Sequence, residues 1–275
     1  MLRLKVLGSG SFSCDPALNF HSMYMLEWMK AGEGYYKRML LDCGSDFKHA
    51  YYFHKESLQD IDAVYVSHLH GDHVGGIEFL ALMRYFSKSA DDPKAKIYGD
   101  SDVLRALWNN TLSGGLDTLA SHQIKDDRDK NRPTAQLDTY FEPWPIRSNK
   151  EFTFEGVLFS PVQILHIVSG RVFKDSYGLF IDTGKTRVFW TADSQFAPAQ
   201  MIQSYNKVDL IIHDCETQTQ FTPSGVHAHY DQLVTLNPKI KAKMWLTHYN
   251  DNPTQDAIAD GFLGFLQRGQ IIDIE

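Results

Sequence analysis

Ser67-His68-Leu69-His70-Gly71-Asp72-His73 is the stretch on which the reading of this chain turns. It follows Ala63-Val64-Tyr65-Val66, an apolar run of mostly β-branched and aromatic residues bounded upstream by Asp60-Ile61-Asp62, which is the pattern of a buried strand. Behind it, Val74-Gly75-Gly76-Ile77-Glu78-Phe79-Leu80-Ala81-Leu82-Met83 spaces its apolar residues as a helix does. The run is therefore a loop between the carboxyl end of a strand and a helix, where α/β folds bind ligands. Three imidazoles and a carboxylate so close together have little to bury, and each polar group needs a partner. In an extended loop, alternation puts His68, His70 and Asp72 on one side, with His73 on the turn into the helix. Imidazole nitrogen and carboxylate oxygen are ligands for Zn, Mn or Fe, so one face offers donors to two adjacent cations. The competing reading is a histidine-rich surface loop, which the buried strand before it and the glycine pair after it disfavour.

Working outward, 275 residues suit a single domain over 1–275 with ample core. A hydrophobic content of 43% and a charged content of 22% are ordinary for a globular protein. No apolar run reaches about 18 residues, and Met1-Leu2-Arg3-Leu4-Lys5-Val6 enters a strand pattern at once. Neither a membrane span nor a signal segment is expected, and the expected compartment is the cytoplasm. Cys14, Cys43 and Cys215 are widely spaced and odd in number, against a disulfide framework and against a Cys-type zinc site. A net charge of -7 disfavours a broad polyanion-binding surface but leaves room for a local metal centre that holds one phosphate.

Leu2 to Leu7 alternates as a half-exposed strand, and Gly8-Ser9-Gly10-Ser11-Phe12 is a tight turn, either a plain glycine turn or a loop whose backbone approaches substrate. Ser22 to Trp28 and Arg38 to Asp42 read as strands, and Gly99 to Asn110 as a helix. Residues 113–150 lose periodicity and form a polar insertion around Lys125-Asp126-Asp127-Arg128-Asp129-Lys130-Asn131-Arg132-Pro133, whose balanced charge predicts a solvated surface. Beyond it, Val157 to Leu165 and Ser176 to Ile181 read as strands, and Arg187 to Ser194 and Lys243 to Tyr249 place an Asp and a His in a strand-to-loop setting. The strand and helix pattern on both sides of the insertion fits two αβ halves packed sheet to sheet.

Residues 67–76, Ser-His-Leu-His-Gly-Asp-His-Val-Gly-Gly, resemble the H-x-H-x-D-H signature of the metallo-β-lactamase fold superfamily, and the resemblance covers nearly the whole chain. It implies an α/β fold, the αββα sandwich of two mixed sheets flanked by helices. It also implies a ligand set: His68, His70, His166 and a bridging Asp193 for one metal, and Asp72, His73, Asp193 and His248 for the other. Asp42, in Leu40-Leu41-Asp42-Cys43-Gly44, would support the metal loop from behind, or simply cap its strand. The donors include no thiolate and suit Zn2+, with Mn2+ or Fe open. Two cations about 3.5–4 Å apart can activate a shared water and hold the oxygens of a phosphodiester. Long insertions in this superfamily commonly sit beside the active site, so 113–150 could be a lid or dimer arm.

Leu210 to Thr217 and Gly225 to Tyr230 resemble the ribonuclease Z branch, in which an acidic motif orients a histidine that protonates the departing oxygen. By that resemblance Asp214 is the orienting carboxylate and His227 or His229 the proton donor, with His227 slightly favoured; the plain alternative is a polar cluster at a helix start. Cys14 to Asn19 lacks the basic residues that grip nucleic acid. What remains resembles the cyclic-nucleotide phosphodiesterases of that branch, including the phage anti-Pycsar enzymes and their bacterial relatives. The resemblance implies a homodimer that hydrolyses a small nucleotide, a 3′,5′-cyclic nucleotide, to a nucleoside monophosphate. Tyr24, Trp28, Tyr35 and Tyr36 are either base-stacking surfaces or core. The alternatives are a transfer-RNA 3′-endonuclease, a lactonase or thioesterase, and a metal-bound sensor without turnover.

Overall fold

In the computed structural model, which describes residues 1–274 apart from 33, 90, 126, 148–149, 171 and 220–222, the strands fall into two seven-stranded sheets. The first sets β1 (Leu2–Gly8), β2 (Met23–Lys30), β3 (Gly34–Leu41), β4 (Ala63–Val66), β5 (Ala95–Asp100) and β6 (Phe141–Ile146) side by side. The second runs from β7 (Phe152–Phe154) through β8 (Val157–Ser169), β9 (Val172–Asp182), β10 (Arg187–Trp190), β11 (Leu210–Asp214) and β12 (Met244–Thr247) to β13 (Gly264–Phe265). The last strand, β14 (Ile271–Asp273), returns to pair antiparallel with β1. Both sheets are mixed. β1, β2 and β3 are antiparallel and β3 to β6 parallel, while β8 to β10 are antiparallel and β10 to β13 parallel.

Period-two alternation divides each strand between two cores. In β2, Tyr24, Leu26 and Trp28 face the second sheet, where they meet Phe154, Phe159, Leu179 and Trp190. Met23 and Met25 face the opposite way, into a layer closed by α1 (Phe47–His54) and, beyond the short α2 (Gly71–Val74), by α3 (Ile77–Ser87). Behind the second sheet a third apolar layer holds Met201 and Tyr205 of α8 (Pro198–Asn206), Leu233 of α9 (Tyr230–Leu233) and Ile240 of α10 (Pro238–Lys241). The order helix, sheet, sheet, helix is the metallo-β-lactamase αββα sandwich that the sequence resemblance implied.

One charged cluster is centred on a buried residue of the first sheet. Arg38 is buried, its Nη2 is 3.0 Å from Glu27 Oε1 and also meets Glu56 Oε2, and its guanidinium lies 4.4 Å from the Tyr35 ring centre. Arg3 and Lys5 add Nε to Glu27 Oε2 at 2.6 Å and Nζ to Glu56 Oε1 at 2.5 Å.

Residues 113–150 are more ordered than their composition predicts. The helical run that starts at α4 (Ser101–Ala106) widens into a π-helical stretch over Leu107–Leu112 and continues as α5 (Ser113–Leu116). Then come α6 (Asp127–Lys130), α7 (Leu137–Tyr140) and β6, which contains Pro143 and Pro145. Prolines mask a strand in the sequence, yet an edge strand tolerates them because one row of N–H groups has no partner to bond. The charged run is not wholly solvated: Asp129 is buried and accepts from Thr139 Oγ1 at 3.0 Å, and Lys125 caps the end of α3 through Tyr85 and Lys88 carbonyls. Asp126 of that run and residues 148–149 lie outside the described residues. Tyr24 and Trp28 are core residues between the sheets, while Tyr35 and Tyr36 are exposed at the start of β3, at the other end of that strand from Asp42. That placement gives none of the four a stacking role at the histidine loop. Among the described residues no helix is long and apolar enough to cross a membrane.

Candidate metal centre

β4 delivers the histidine loop at its carboxyl end, and Asp42, one residue past β3, receives it. Asp42 Oδ1 accepts from Ser67 N at 2.8 Å, and Oδ2 accepts from Ser67 Oγ at 2.7 Å and from His73 Nδ1 at 2.7 Å. The loop then closes into α2, which carries Asp72 and His73. Gly44 makes this possible: a Cβ there would stand 2.0 Å from the Asp72 carbonyl oxygen. The second sheet brings the other groups to the same place. His166 sits where the β8–β9 register shifts between Leu165 and Ile167, a bulge that re-aims a side chain. Asp193 follows β10, Asp214 ends β11, and His248 follows β12. Asp42, Ala192 and His248 all adopt left-handed backbone angles, with φ of 58°, 49° and 58°.

Two donor groups result. His70 Nδ1 lies 3.0 Å from His68 Nε2 and 3.2 Å from His166 Nε2, and Asp193 Oδ2 lies 3.7 Å from both Nε2 atoms. On the other side, His73 Nε2 is 3.3 Å from Asp72 Oδ2 and 3.1 Å from Asp193 Oδ1; His248 Nε2 is 3.1 Å and 3.5 Å from the same atoms. Asp193 thus turns one oxygen to each group.

The hydrogen-bond network assigns the imidazole tautomers. His73 Nδ1 donates to Asp42, His166 Nδ1 donates to the Val226 carbonyl at 2.9 Å, and His68 Nδ1 meets Ser67 Oγ at 3.0 Å. Each bond leaves an Nε2 lone pair pointing into the cluster, the arrangement by which outer groups set a metal-binding histidine. Among the described residues, buried His73 Nε2 has no hydrogen-bond partner. Ligand atoms around a tetrahedral centre at about 2.0–2.2 Å are separated by roughly 3.3–3.6 Å. The observed spacings and the inward lone pairs fit divalent cations.

Electrostatics agree. Burial disfavours charge on Asp193, yet His248, His73 and His227 hold its carboxyl well below the usual range. Burial alone would also keep His73 neutral, but Asp193, Asp72 and Asp42 push it well above its ordinary value. Burial lowers His68 well below its own, with the charge on His73 adding to the effect. In the chain alone, protons drawn onto His73 and His248 balance these carboxylates, and bound cations would take the place of those protons.

Beside this cluster, His227 Nδ1 is 2.7 Å from Asp214 Oδ2, and its ring stacks 4.8 Å from that of His248. Burial opposes charge on His227, but Asp214 and Asp193 outweigh it and raise the imidazole above its ordinary value. Asp214 is held in turn by Ser194 N at 2.8 Å, and its Oδ1 lies 3.4 Å from His248 Nδ1. This second link, joining the His227 partner to a residue of the donor group, has no signature in the sequence. The structure does not bring His229 to the cluster. Its Nε2 is 2.9 Å from the Gln218 carbonyl, and its Nδ1 caps α9 by accepting from Asp231 N at 3.3 Å. A cleft of about 340 Å3, lined by Leu69, Asp100, Val103, Lys174 and Tyr177, opens beside His68 and His70.

The sandwich and the histidine–aspartate cluster at its strand ends define a metal-dependent hydrolase of the metallo-β-lactamase fold. The chain belongs to the family described as "Anti-Pycsar protein Apyc1", whose model matches residues 2–272. Among curated relatives it is similar to the Anti-Pycsar protein Apyc1 of Paenibacillus harenae, 31% identical over 219 residues, which are 79% of this chain and 80% of the relative. Among solved structures it resembles the metallo-beta-lactamase fold protein YhfI from Bacillus subtilis, with TM-score 0.69, 18% identity, and coverage of 99% of this chain and 100% of that one. A diphosphatase from the PhnP family gives TM-score 0.68 and 19% identity over 98% and 96% of the two chains.

Proposed function

We propose that the protein hydrolyses a 3′,5′-cyclic nucleotide to a nucleoside monophosphate. The observation that carries this reading is the pairing of a two-sided Asp193, which turns Oδ2 and Oδ1 to separate donor groups, with a carboxylate-oriented His227 next to it. His68, His70, His166 and Asp193 would hold one divalent cation, and Asp72, His73, Asp193 and His248 the other, with Zn2+ favoured by the mixed nitrogen and oxygen donors. When bound, such a pair supplies an activated water and neutralises phosphate charge. Membership of the anti-Pycsar family supports a small nucleotide as substrate.

The chain's own residues do the rest. Asp214 fixes His227 Nδ1, so that Nε2 is the nitrogen left to carry a proton to the substrate. As water oxygen bonds to phosphorus and the bond from phosphorus to the ribose 3′ oxygen breaks, His227 protonates that oxygen, and the product keeps its 5′-phosphate. Asp42 holds His73 and Ser67 in place throughout. The cleft beside His68 and His70 has room for a nucleoside and offers Lys174 and Tyr177. The homodimer and the cytoplasmic setting implied by the sequence resemblance belong to the same reading.

The test is a hydrolysis panel of 3′,5′-cyclic mononucleotides, cyclic dinucleotides and a precursor transfer RNA, with an Asp72→Ala and His73→Ala double variant as control. Turnover of cyclic mononucleotides that the double variant loses supports the reading. Cleavage of the RNA alone, or silence across the panel, refutes it.

A further inference from the structure

Cys14, His21 and Asp46 lie far apart in the sequence and meet in the fold, outside the two donor groups described above. All three are buried, and one donor atom from each comes within 4.8 Å of the others. His21 Nε2 donates to the Phe12 carbonyl at 3.1 Å, which fixes the tautomer and leaves a lone pair on Nδ1. That lone pair faces the carboxylate oxygen Oδ2 of Asp46 at 3.5 Å, with Ser45 Oγ at 3.3 Å. A positive charge between the two atoms, a proton or a metal ion, joins them, and a metal ion there would also reach the thiol. The thiol completes the set: among the described residues its hydrogen-bond contact is a weak one, 3.9 Å to the Asn19 carbonyl.

The packing holds these donors in place. At Gly10 a Cβ would come 2.7 Å from both Cβ and Sγ of Cys14, so the sulfur is seated directly on backbone. Charge points the same way. Burial, then Asp46, Asp251 and Asp72, push the Cys14 thiol up to about 12. The carboxylate field that keeps the proton on sulfur is also one that draws a divalent cation.

We propose that Cys14, His21 and Asp46 form a separate binding site for one divalent cation of the Zn2+ class. The donor set is sulfur, nitrogen and oxygen, which suits a borderline-soft ion and leaves a fourth position for water. Binding forms the sulfur–metal bond and releases the thiol proton to solvent. The site departs from the expectation drawn from cysteine spacing, because a single thiolate with a distant His and Asp has no spacing motif. It goes beyond the hydrolytic reading and does not depend on it.

Its position gives it a structural task. The loop that carries Cys14 and His21 is bonded to the strand end that carries His248, through Ser11 N to the Tyr249 carbonyl at 3.0 Å. The turn that carries Asp46 is bonded to the histidine loop, through Ser45 N to the Gly71 carbonyl at 3.1 Å and Cys43 N to the His73 carbonyl at 2.7 Å. A cation there ties together the two segments that hold Asp72, His73 and His248.

Cobalt substitution tests this, because Co2+ bound to a thiolate has an intense near-ultraviolet charge-transfer band and the histidine–aspartate cluster contains no sulfur. The Co2+-loaded full chain is expected to show the band, and the Asp72→Ala and His73→Ala double variant to keep it. Cys14→Ser is expected to abolish the band and to bind one metal ion fewer per chain by elemental analysis. Asp46→Asn retains the thiol and serves if Cys14→Ser does not fold. It is expected to weaken the band-forming Co2+ by at least the roughly tenfold that loss of a supporting group costs. Absence of the band at full cobalt loading, its survival in Cys14→Ser, or equal metal content and affinity in all variants would overturn the proposal.

Discussion

Two buried charged clusters share this fold, and they are satisfied in opposite ways. Around Arg38 each carboxylate faces a fixed cation: Glu27 has Arg38 and Arg3, and Glu56 has Arg38 and Lys5. Around Asp193 the carboxylates face imidazoles whose lone pairs already point inward. The first cluster balances its charge with the chain's own cations. The second balances its carboxylates only with protons on imidazoles whose nitrogens a cation would otherwise hold. Buried charge alone is thus poor evidence of function; the informative sign is a donor set whose hydrogen-bonded outer atoms commit its inner atoms to something absent from the chain.

The largest effect is expected from Asp193→Ala, which removes the group common to both donor sets. Hydrolysis should fall to background and elemental analysis should show lost metal, whereas a substitution in the Arg38 cluster should leave both unchanged per folded molecule. His227→Ala should lower kcat by about 10²–10⁴-fold, the range for a general acid, with metal content retained; loss of metal instead would move His227 into the ligand set. Arg38→Met takes from Glu27 and Glu56 the buried cation they share, leaving each with one partly exposed partner, and should cost up to about 3–5 kcal/mol in urea unfolding. A change below about 1 kcal/mol, the surface-pair range, would erase the contrast drawn here.

Acid should separate the clusters too. Burial by itself would raise Glu56, but hydrogen bonds and charge from Lys5 and Arg38 outweigh it and hold the carboxyl below its ordinary 4.5. A depressed carboxyl contributes stability that is present above its unfolded value and is lost as pH falls through the folded one. The stability gap between the protein and Glu56→Gln should therefore be constant near neutrality and narrow below about pH 4.5, measured by thermal unfolding at a series of pH values. The smallest effect belongs to His229→Ala, which should cost about 0.5–2 kcal/mol as a lost helix cap and leave kcat within about twofold, since its ring bonds to Gln218 and Asp231.

How much of this could be read beforehand follows from distance along the chain. His68, His70, Asp72 and His73 announce themselves because they sit together at the end of an apolar strand. His166, Asp193 and His248 carry no local signal beyond a strand before them, and only the family resemblance picked them out. The alternation of Leu2 to Leu7, the apolar run of β4 and the strand and helix pattern on both sides of the insertion made the sandwich legible, while the prolines of β6 concealed an edge strand. Burial of Asp129 was invisible because a run of mixed charge looks the same whether its members face water or cap a helix. The contact of Asp214 with His248 and the meeting of Cys14, His21 and Asp46 depend on how sheets pack, which no spacing encodes.

The left-handed backbone at Asp42, Ala192 and His248 has a consequence for anyone who evolves this protein in the laboratory. Side chains in that region are held there against a cost of roughly 1–2 kcal/mol each. At Asp42 and His248 the side chain's buried bonds outweigh that cost, but Ala192 carries only a methyl group and glycine there would relieve it, so selection for heat resistance alone rewards a change directly beside Asp193. A variant library screened only for survival on heating is expected to drift toward a sturdier protein with a blunted centre. Paired screening for turnover would be needed to keep Ala192 as it is.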